Sequence, residues 1–264
     1  MRILITGAAG FIGQQLLADL AVQQPNWTLF AADIREIPVN LLRGNVHPLL
    51  LDISRRAAVL KAVAECQPQA IVHLASVVSP PPGMSEASLH AIDVDGTQAV
   101  VDAAAAHGVE QLIITSSGAA YGYYPENAEW IDEHDPLRGH NKFAYARHKR
   151  EVEELLVQAR ITHPQLRQLI LRPGTILGKR VNNQITDMFK KPVVLGIQDS
   201  DSRFVFIWDQ DVVRIIRKGL ECGTAGTYNL AGDGALSLRE IAQILRKPYL
   251  PLPAGLLQGA LRLL

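Results

Sequence analysis

Residues 2–13 have the sequence RILITGAAGFIG, in which a short apolar run leads into three glycines, at positions 7, 10 and 13. The apolar run is typical of a buried β-strand, and the apolar residues from Ile12 to Leu20 then follow the helical period. The three glycines therefore lie where a strand becomes a helix. Because glycine permits a tight turn and close approach to the free N–H groups of the helix, this segment predicts a pyrophosphate-binding turn.

Asp33 supports a dinucleotide as the ligand. It follows a second predicted strand, Trp27 to Ala32, about 20 residues after Gly13, where an acid would reach an adenosine ribose. Its carboxylate can accept hydrogen bonds from both ribose hydroxyls and would repel a 2'-phosphate, so it favours NAD as the cofactor. Arg35, two residues further on, is the opposing indication, because it could hold that phosphate.

The chain continues as alternating strands and helices. Residues 49–53 predict a third strand, and Asp52 at its end either faces the adenine side of the cofactor or caps the next helix, a role that Ser54 could also fill. Residues 70–75 predict a fourth strand, in which His73 is interpreted as a core residue. The proline-rich segment 79–84 predicts a loop at the carboxyl edge of the sheet, where it could form a wall or lid of a binding site.

Composition narrows the class of protein. The 264 residues include 26 acidic and 26 basic side chains, which removes any general electrostatic argument for binding nucleic acid or an anionic membrane. Cys66 and Cys222 are far apart and form no metal-ligand motif, so we expect free thiols and no metal site. The amino-terminal apolar run is too short for a secretory signal, and no stretch approaches the roughly 18 apolar residues of a membrane helix. We expect a cytoplasmic protein.

Two long helices, predicted over 86–107 and 143–160, flank a fifth strand at 111–117. The second helix carries Tyr145 and Lys149, which are four residues apart and so share one helix face. We expect Lys149, together with the positive ring of an oxidised nicotinamide, to stabilise the Tyr145 phenolate so that it can act as a base. Ser117, at the end of the strand, could hydrogen-bond the same substrate oxygen.

Eight motifs together carry a resemblance to a known family. They are Gly7 to Gly13, Asp33, Asp52-Ile53, His73-Leu74-Ala75, Ser116-Ser117, Tyr121-Gly122, Tyr145 to Lys149 and Leu171-Arg172-Pro173. Over most of its length the chain resembles the extended short-chain dehydrogenase/reductases, specifically the NAD-dependent epimerase/dehydratase family.

The resemblance implies a fold, a set of domains and a set of site residues. The fold is α/β, a doubly wound parallel sheet (Rossmann fold) with a small carboxyl-terminal substrate-binding subdomain. The NAD-binding domain would span 1–171 and be completed by segments around 204–232, and the subdomain would comprise 172–203 and 233–264. The implied catalytic residues are Ser117, Tyr145 and Lys149. The implied cofactor-binding residues are Gly7, Gly10, Phe11, Ile12, Gly13, Asp33, Asp52, Ile53, Leu74, Ala75, Tyr145, Lys149 and Pro173.

The chain also departs from the family pattern. Phe204 stands where members often have a phosphate-binding arginine, with Arg203 one place earlier, and Asp93 and Thr175 stand where many members have asparagine. Dehydratases of the family place Asp-Glu directly after the residue matched by Ser117, whereas Gly118-Ala119 follow here. The replacement of Asp-Glu by Gly118-Ala119 weighs against dehydration and leaves epimerisation or simple alcohol/carbonyl redox chemistry.

The resemblance and the apolar pattern also predict how the subunit assembles. Family members pair their two long helices in a four-helix dimer, and Val152, Leu155 and Leu156 form an apolar stripe beyond what one sheet face needs. We therefore expect a homodimer of this kind. The apolar segment 256–264 should pack on the body or on another subunit.

Three functions are consistent with the sequence. The leading one is an NAD-dependent oxidoreductase or epimerase acting on a hydroxyl of a sugar or nucleotide-sugar. The first alternative is an NAD(P)-dependent reductase or dehydrogenase of a non-nucleotide alcohol or carbonyl. The second is a non-catalytic dinucleotide sensor, which predicts loss of Tyr145 or Lys149, yet both are present.

Overall fold

The computed structural model describes residues 1–181 and 183–256 and divides into two compact units. The first comprises Met1–Pro173 and Asp209–Leu230, and the second comprises Gly174–Trp208 and the chain from Ala231 onward. The sequence had led us to expect a first domain of 1–171 with segments around 204–232, and a second of 172–203 and 233–264. The substrate-binding role of the second unit stays a prediction.

The first unit alternates strands and helices. Its elements, with labels that follow the order of the whole chain, are β1 (Arg2–Thr6), α1 (Phe11–Gln23), β2 (Thr28–Asp33), β3 (Val46–Leu50), α2 (Arg56–Cys66), β4 (Ala70–His73), α3 (Glu86–His90), a π-helical segment (Ala91–Asp95), α4 (Gly96–Ala106), β5 (Gln111–Thr115), α5 (Ala144–Thr162), β6 (Arg167–Pro173), α7 (Asp209–Cys222) and β11 (Gly226–Leu230). Short 3-10 turns cover Val39–Leu41 and Gly118–Tyr121. The second predicted long helix is confirmed, whereas the first is a helical run interrupted by the π-helical segment.

The seven strands form one parallel sheet in the order β11-β6-β5-β4-β1-β2-β3. The predicted doubly wound fold is therefore confirmed. The strand order reverses between β1 and β4, and in open sheets of this kind ligands bind outside the carboxyl ends of the strands at such a switch point. The glycine turn after β1 lies at this switch point.

Both faces of the sheet are covered by helices. Buried residues of α2, α4 and α5 share one core with alternate strand residues such as Leu4, Ile71 and Leu112. On the other face α7 lies so close that a Cβ at Gly219 would meet Leu169, and Arg217 of α7 bonds Asp19 of α1. Two-sided burial explains why the strands are continuous apolar runs rather than alternating ones.

The apolar stripe of α5 belongs to the core of the subunit. Val152 and Leu156 are buried in that core, and Leu155 packs against it. The stripe therefore packs inside one subunit and is not available for a partner. The apolar stripe was the wrong reason to expect a homodimer. The large apolar residues that α5 leaves exposed are Val157 and Ile161.

The third strand is shifted from its predicted position. It ends at Leu50, and Pro48 is tolerated in it because β3 is an edge strand, where a missing N–H is harmless. Asp52 instead closes a turn, with Oδ1 accepting from Ser54 N at 3.0 Å and Ser54 Oγ at 2.7 Å. Neither residue caps α2, whose N-cap is Arg55 without a side-chain bond.

The second unit is built from short pieces. They are β7 (Thr175–Leu177), α6 (Gln184–Lys190), β8 (Val194–Ile197), β9 (Arg203–Phe204), β10 (Phe206–Trp208), β12 (Leu236–Ser237), α8 (Leu238–Ile244) and β13 (Tyr249–Leu252). Strand β10 pairs with β7, so residues 206–208 belong here rather than with the Rossmann domain. Arg203 donates to Asp201, and Phe204 stacks on Phe206. Most of the apolar segment 256–264 lies outside the described residues.

Candidate active site

The glycine turn is fixed by close backbone packing. Gly7 has φ +70°, and a Cβ there would lie 2.6 Å from Ala75 N, so only glycine fits. A Cβ at Gly13 would lie 2.7 Å from Ala8 Cα. Gly10 is the N-cap of α1, and no side chain caps the helix. The first turn, which begins with Phe11 and Ile12, contains no acidic residue. The positive end of the helix is therefore available to an anionic group such as a pyrophosphate.

Asp33 is brought to this turn by the end of β2. It is 6% exposed, and its Oδ2 accepts from Ala9 N at 2.9 Å. Its Oδ1 accepts from Arg35 N at 3.0 Å and Arg35 Nε at 3.2 Å. Of the roughly four acceptor positions of a carboxylate, these bonds leave one on Oδ2, and the exposed Arg35 side chain would have to move from Oδ1 for both ribose hydroxyls of NAD to bind. The Arg35 guanidinium is paired with the Asp33 carboxylate, and its positive charge partly offsets the negative charge of Asp33.

The end of β4 lies against the glycine turn. Leu74 N donates to Thr6 O at 3.1 Å, and Ala75 lies against Gly7, so both implied residues reach the glycine turn. His73 bonds Thr6 Oγ1 through Nδ1 at 2.7 Å and Thr97 Oγ1 through Nε2 at 3.0 Å. Burial, reinforced by the charge of Lys149, lowers the pKa of His73 to about 3. Its interpretation as a satisfied core residue is confirmed.

Two other implied cofactor residues lie further from the glycines. Ile53 is buried in the core, where a Cβ on Gly96 would lie 3.0 Å from Ile53 Cδ1. Pro173 ends β6 beside Gly118, the residue after Ser117. Contacts of Asp52, Ile53 and Pro173 with a cofactor stay predictions.

The three implied catalytic residues converge after β5. Ser117 caps the 3-10 turn Gly118–Tyr121, its Oγ accepting from Ala119 N at 3.1 Å, and its side chain is near enough to the Tyr145 hydroxyl to lower the pKa of that group. Lys149 is 6% exposed, and its Nζ donates to Thr115 O at 3.0 Å. The Nζ lies 5.6 Å from the centroid of the Tyr145 ring.

Burial dominates the charge states of these residues. It raises the pKa of Tyr145, the Ser117 hydrogen bond lowers it, and the charge of Asp93 raises it further. Burial lowers the pKa of Lys149, while Asp93 and Glu153 oppose that change. The polypeptide alone therefore raises the pKa of Tyr145, because loss of solvent outweighs the effect of Ser117, whereas the expected lowering was for Lys149 and an oxidised nicotinamide acting together.

A family model described as "NAD dependent epimerase/dehydratase family" matches residues 3–231. The chain belongs to this family. The expected cofactor, NAD, and the expectation of an enzyme are thereby confirmed.

The chain is also similar to individual proteins. An uncharacterized protein of Mycobacterium tuberculosis is 24% identical over 254 residues, which cover 95% of this chain and 67% of the relative. A 4-epimerase of Escherichia coli O157:H7, named N-acetyl-alpha-D-glucosaminyl-diphospho-ditrans,octacis-undecaprenol 4-epimerase, is 27% identical. The match covers 98% of this chain and 78% of the E. coli protein. Among solved structures, the NAD complex of Thermus thermophilus UDP-glucose 4-epimerase shares the fold, with a TM-score of 0.78, 24% identity and coverage of 96% and 86%.

A buried ion pair that sequence reasoning missed supports the catalytic segment of this family member. Arg172 on β6 bonds Glu153 on α5, with Nη2 to Oε2 at 2.6 Å, and Ser116 Oγ donates to Glu153 Oε1 at 2.5 Å. Arg172 Nη1 also donates to Tyr121 Oη at 2.6 Å. The network holds Ser116, the neighbour of Ser117, against α5. Glu153 continues the four-residue spacing of Tyr145 and Lys149, which was the available signal.

The described residues show neither a membrane-spanning helix nor a metal cluster. Within 1–181 and 183–256, no helix is long and apolar enough to cross a membrane, and no group of three or more His, Cys, Asp or Glu could hold a metal ion. Cys66 and Cys222 are both free thiols. Burial raises the pKa of the Cys66 thiol, so this group is less reactive than an exposed cysteine.

Proposed function

We propose that this family member is an NAD-dependent oxidoreductase or epimerase that acts on a hydroxyl of a sugar or nucleotide-sugar. The observation that carries the proposal is the convergence of Ser117, Tyr145 and Lys149 at the end of β5, where the buried Lys149 Nζ donates to Thr115 O and lies 5.6 Å from the centroid of the Tyr145 ring. The E. coli and Thermus relatives, both 4-epimerases by name, support a sugar-linked substrate.

In this mechanism the proton moves through Tyr145. Ser117 Oγ accepts from Ala119 N and has one hydrogen to donate, which in this proposal turns from the phenol to the reacting substrate oxygen and holds that oxygen near Tyr145. Tyr145 takes the hydroxyl proton as the carbon loses hydride, and it returns the proton when the reaction runs backwards. NAD, when bound, accepts and returns the hydride.

Lys149 has a double role in the proposal. One of its three N–H groups is used by the Thr115 carbonyl, which leaves two donors for the nicotinamide ribose. Its charge also favours the Tyr145 phenolate, against the effect of burial. At the other end of the cofactor, Asp33 and the turn at Gly7 and Gly10 would hold the adenosine ribose and the pyrophosphate.

The residues after Ser117 support hydride chemistry without dehydration. Gly118 and Ala119 form the 3-10 turn, and Ala119 is buried, so these positions supply neither the acid nor the base that elimination would need. Epimerisation and net oxidation share the first step and differ in whether the oxidised product dissociates before hydride returns, whereas net reduction is that step in reverse.

We also propose a cytoplasmic homodimer. The exposed apolar residues Val157 and Ile161 on α5 are its remaining support. Light scattering at micromolar concentration should give twice the chain mass, and a monomer mass would contradict this assembly.

Replacing Tyr145 by phenylalanine tests the catalytic proposal. The ring and its packing stay while the proton-transfer group is lost, so turnover should fall by about 10²- to 10⁴-fold, with NAD affinity nearly unchanged. The assay follows turnover, or NADH absorbance if the reaction stalls midway, over a panel of sugars, uronates and nucleotide-sugars. Tyr124→Phe removes a phenolic hydroxyl from the loop that precedes α5, where the Tyr124 ring stacks on His140, and serves as the matched control. Full activity of Tyr145→Phe on the identified substrate would show that another group is the base.

A further inference from the structure

Asp93 is a carboxylate buried where the first long helical run is irregular. It lies in the π-helical segment Ala91–Asp95, between α3 and α4, and is 4% exposed. Single π-helical turns inside α-helices are rare and are frequent at functional sites. Thr97 Oγ1 donates to the carbonyl oxygen of Asp93 at 2.6 Å, a side-chain bond of the kind that bends helices.

The Asp93 side chain joins three elements. Its Oδ1 accepts from Ser76 Oγ and from Val77 N, each at 2.9 Å, in the chain that leaves β4. Its Oδ2 lies 3.2 Å from Nδ1 of His148, which immediately precedes Lys149 on α5 and is 1% exposed. An ionised carboxylate only accepts hydrogen bonds, so His148 carries its proton on Nδ1 in this contact. Among the residues that the structure describes, His148 Nε2 has no hydrogen-bond partner.

The charge of Asp93 acts on two groups of the proposed mechanism. It raises the pKa of Lys149, against the larger effect of burial, and it adds to the effect of burial in raising the pKa of Tyr145. Glu153, one turn further along α5, also raises the pKa of Lys149. On β4, His73 remains neutral near pH 7 because burial lowers its pKa to about 3.

The other charged groups near this pair lie on the solvent side. The His90 ring meets the His148 ring edge-on at 5.4 Å. The nitrogens of His90 are each 3.4 Å from a carboxylate oxygen, of Asp95 and of Glu151. The Asp95 side chain is 64% exposed, so it has the same chemistry as Asp93 in the same π-helical segment but faces solvent.

We propose that Asp93 is a positioning residue of the active site: its carboxylate joins Ser76 Oγ and Val77 N to His148 and so places a negative charge against α5 at the residue directly before Lys149. This inference rests on the proposed function, in which Lys149 and Tyr145 act on cofactor and substrate. A consequence is that both groups lose their protons at higher pH than they would without Asp93. An asparagine at position 93 would preserve an oxygen acceptor for Val77 but would remove the charge.

The test measures ionisation of Tyr145 directly and needs no substrate. Tyrosinate absorbance is titrated with pH in the full chain, with and without NAD, and the curve of the matching Tyr145→Phe protein is subtracted. Asp93→Asn should move the Tyr145 midpoint to lower pH because the phenolate is no longer repelled. Asp95→Asn, the matched control, should leave the midpoint unchanged. A midpoint that is unmoved or raised in Asp93→Asn would overturn the proposal.

Two more variants guard against a folding defect. Asp93→Glu retains the charge and should keep the Tyr145 midpoint near that of the parent protein, whereas Asp93→Ser is a second neutral variant that leaves room for water. If neither neutral variant folds while Asp93→Glu does, Asp93 has only a structural role and the proposal fails. Because the titration is independent of turnover, an active Tyr145→Phe enzyme would refute the proposed function separately.

Discussion

The ion pair between Arg172 and Glu153 yields a prediction about stability. The two side chains are only 6% and 3% exposed, and Arg172 donates three hydrogen bonds to Glu153, at 2.6, 2.9 and 3.1 Å. Arg172→Met keeps an apolar stem of similar length but leaves the Glu153 carboxylate buried without its cation. Removing one partner of a buried pair typically costs about 3–5 kcal/mol.

We therefore expect a loss of about 4 kcal/mol in the free energy of unfolding. At roughly 2–4 °C per kcal/mol for a chain of this size, Tm should fall by about 8–16 °C. Arg172→Met/Glu153→Met removes both charges and should recover most of the loss, since a buried pair and an apolar pair of similar volume are often equally stable.

Urea unfolding followed by circular dichroism, without NAD at pH 7, measures these differences. Arg160→Met is the matched control, because Arg160 also donates a side-chain hydrogen bond, to Gln168 at 3.3 Å, but is exposed to solvent. Its free energy of unfolding should change by no more than about 0.5 kcal/mol. A loss below about 1 kcal/mol for Arg172→Met, or no recovery in the double variant, would refute the reasoning.

Three further predictions concern the cofactor turn and the core. Gly7→Ala should cost about 1–3 kcal/mol of stability and weaken NAD binding in calorimetry, whereas Gly44→Ala, whose Cβ meets nothing within 4 Å, should change neither. Asp33→Asn removes the repulsion of a 2'-phosphate, so the ratio of NAD to NADP affinity should fall, and an unchanged ratio would assign discrimination to other residues. Folding lowers the pKa of His73 from 6.5 to about 3, so between pH 6.5 and pH 3 the imidazole is protonated in the unfolded state but neutral in the folded state. Stability should consequently decrease as pH falls from 6.5, by about 2 kcal/mol at pH 5, and His73→Asn should reduce this slope; equal slopes would contradict the assignment.

Local sequence rules predicted the parts of this protein that depend on local chemistry. The glycine turn, Asp33 at the end of β2 and the shared face of Tyr145 and Lys149 each follow from spacing within one strand, turn or helix. The parallel sheet then follows, because alternating apolar strands and helices have few other arrangements.

Tertiary packing decided the features that the sequence did not predict. Apolar residues such as Val152 and Leu156 satisfy a core and an interface equally well, and only the neighbouring helices assign them to the core. The pairing of Arg172 with Glu153 joins a strand to a helix, which no helical or strand period encodes. The net pKa of Tyr145 likewise depends on burial, which the spacing of two residues does not reveal.

The π-helical segment also sets how far α3 is rotated about the helix axis relative to α4. A π-turn holds one residue more than an α-turn, so α3 and α4 are out of register by about 100° compared with one uninterrupted helix. Deleting a single residue from 91–95 would let the run close into a regular α-helix and rotate α3 by that angle relative to α4. Leu89, buried on α3, would then turn away from the protein, so a one-residue deletion here should be more damaging than most point substitutions in the same helix.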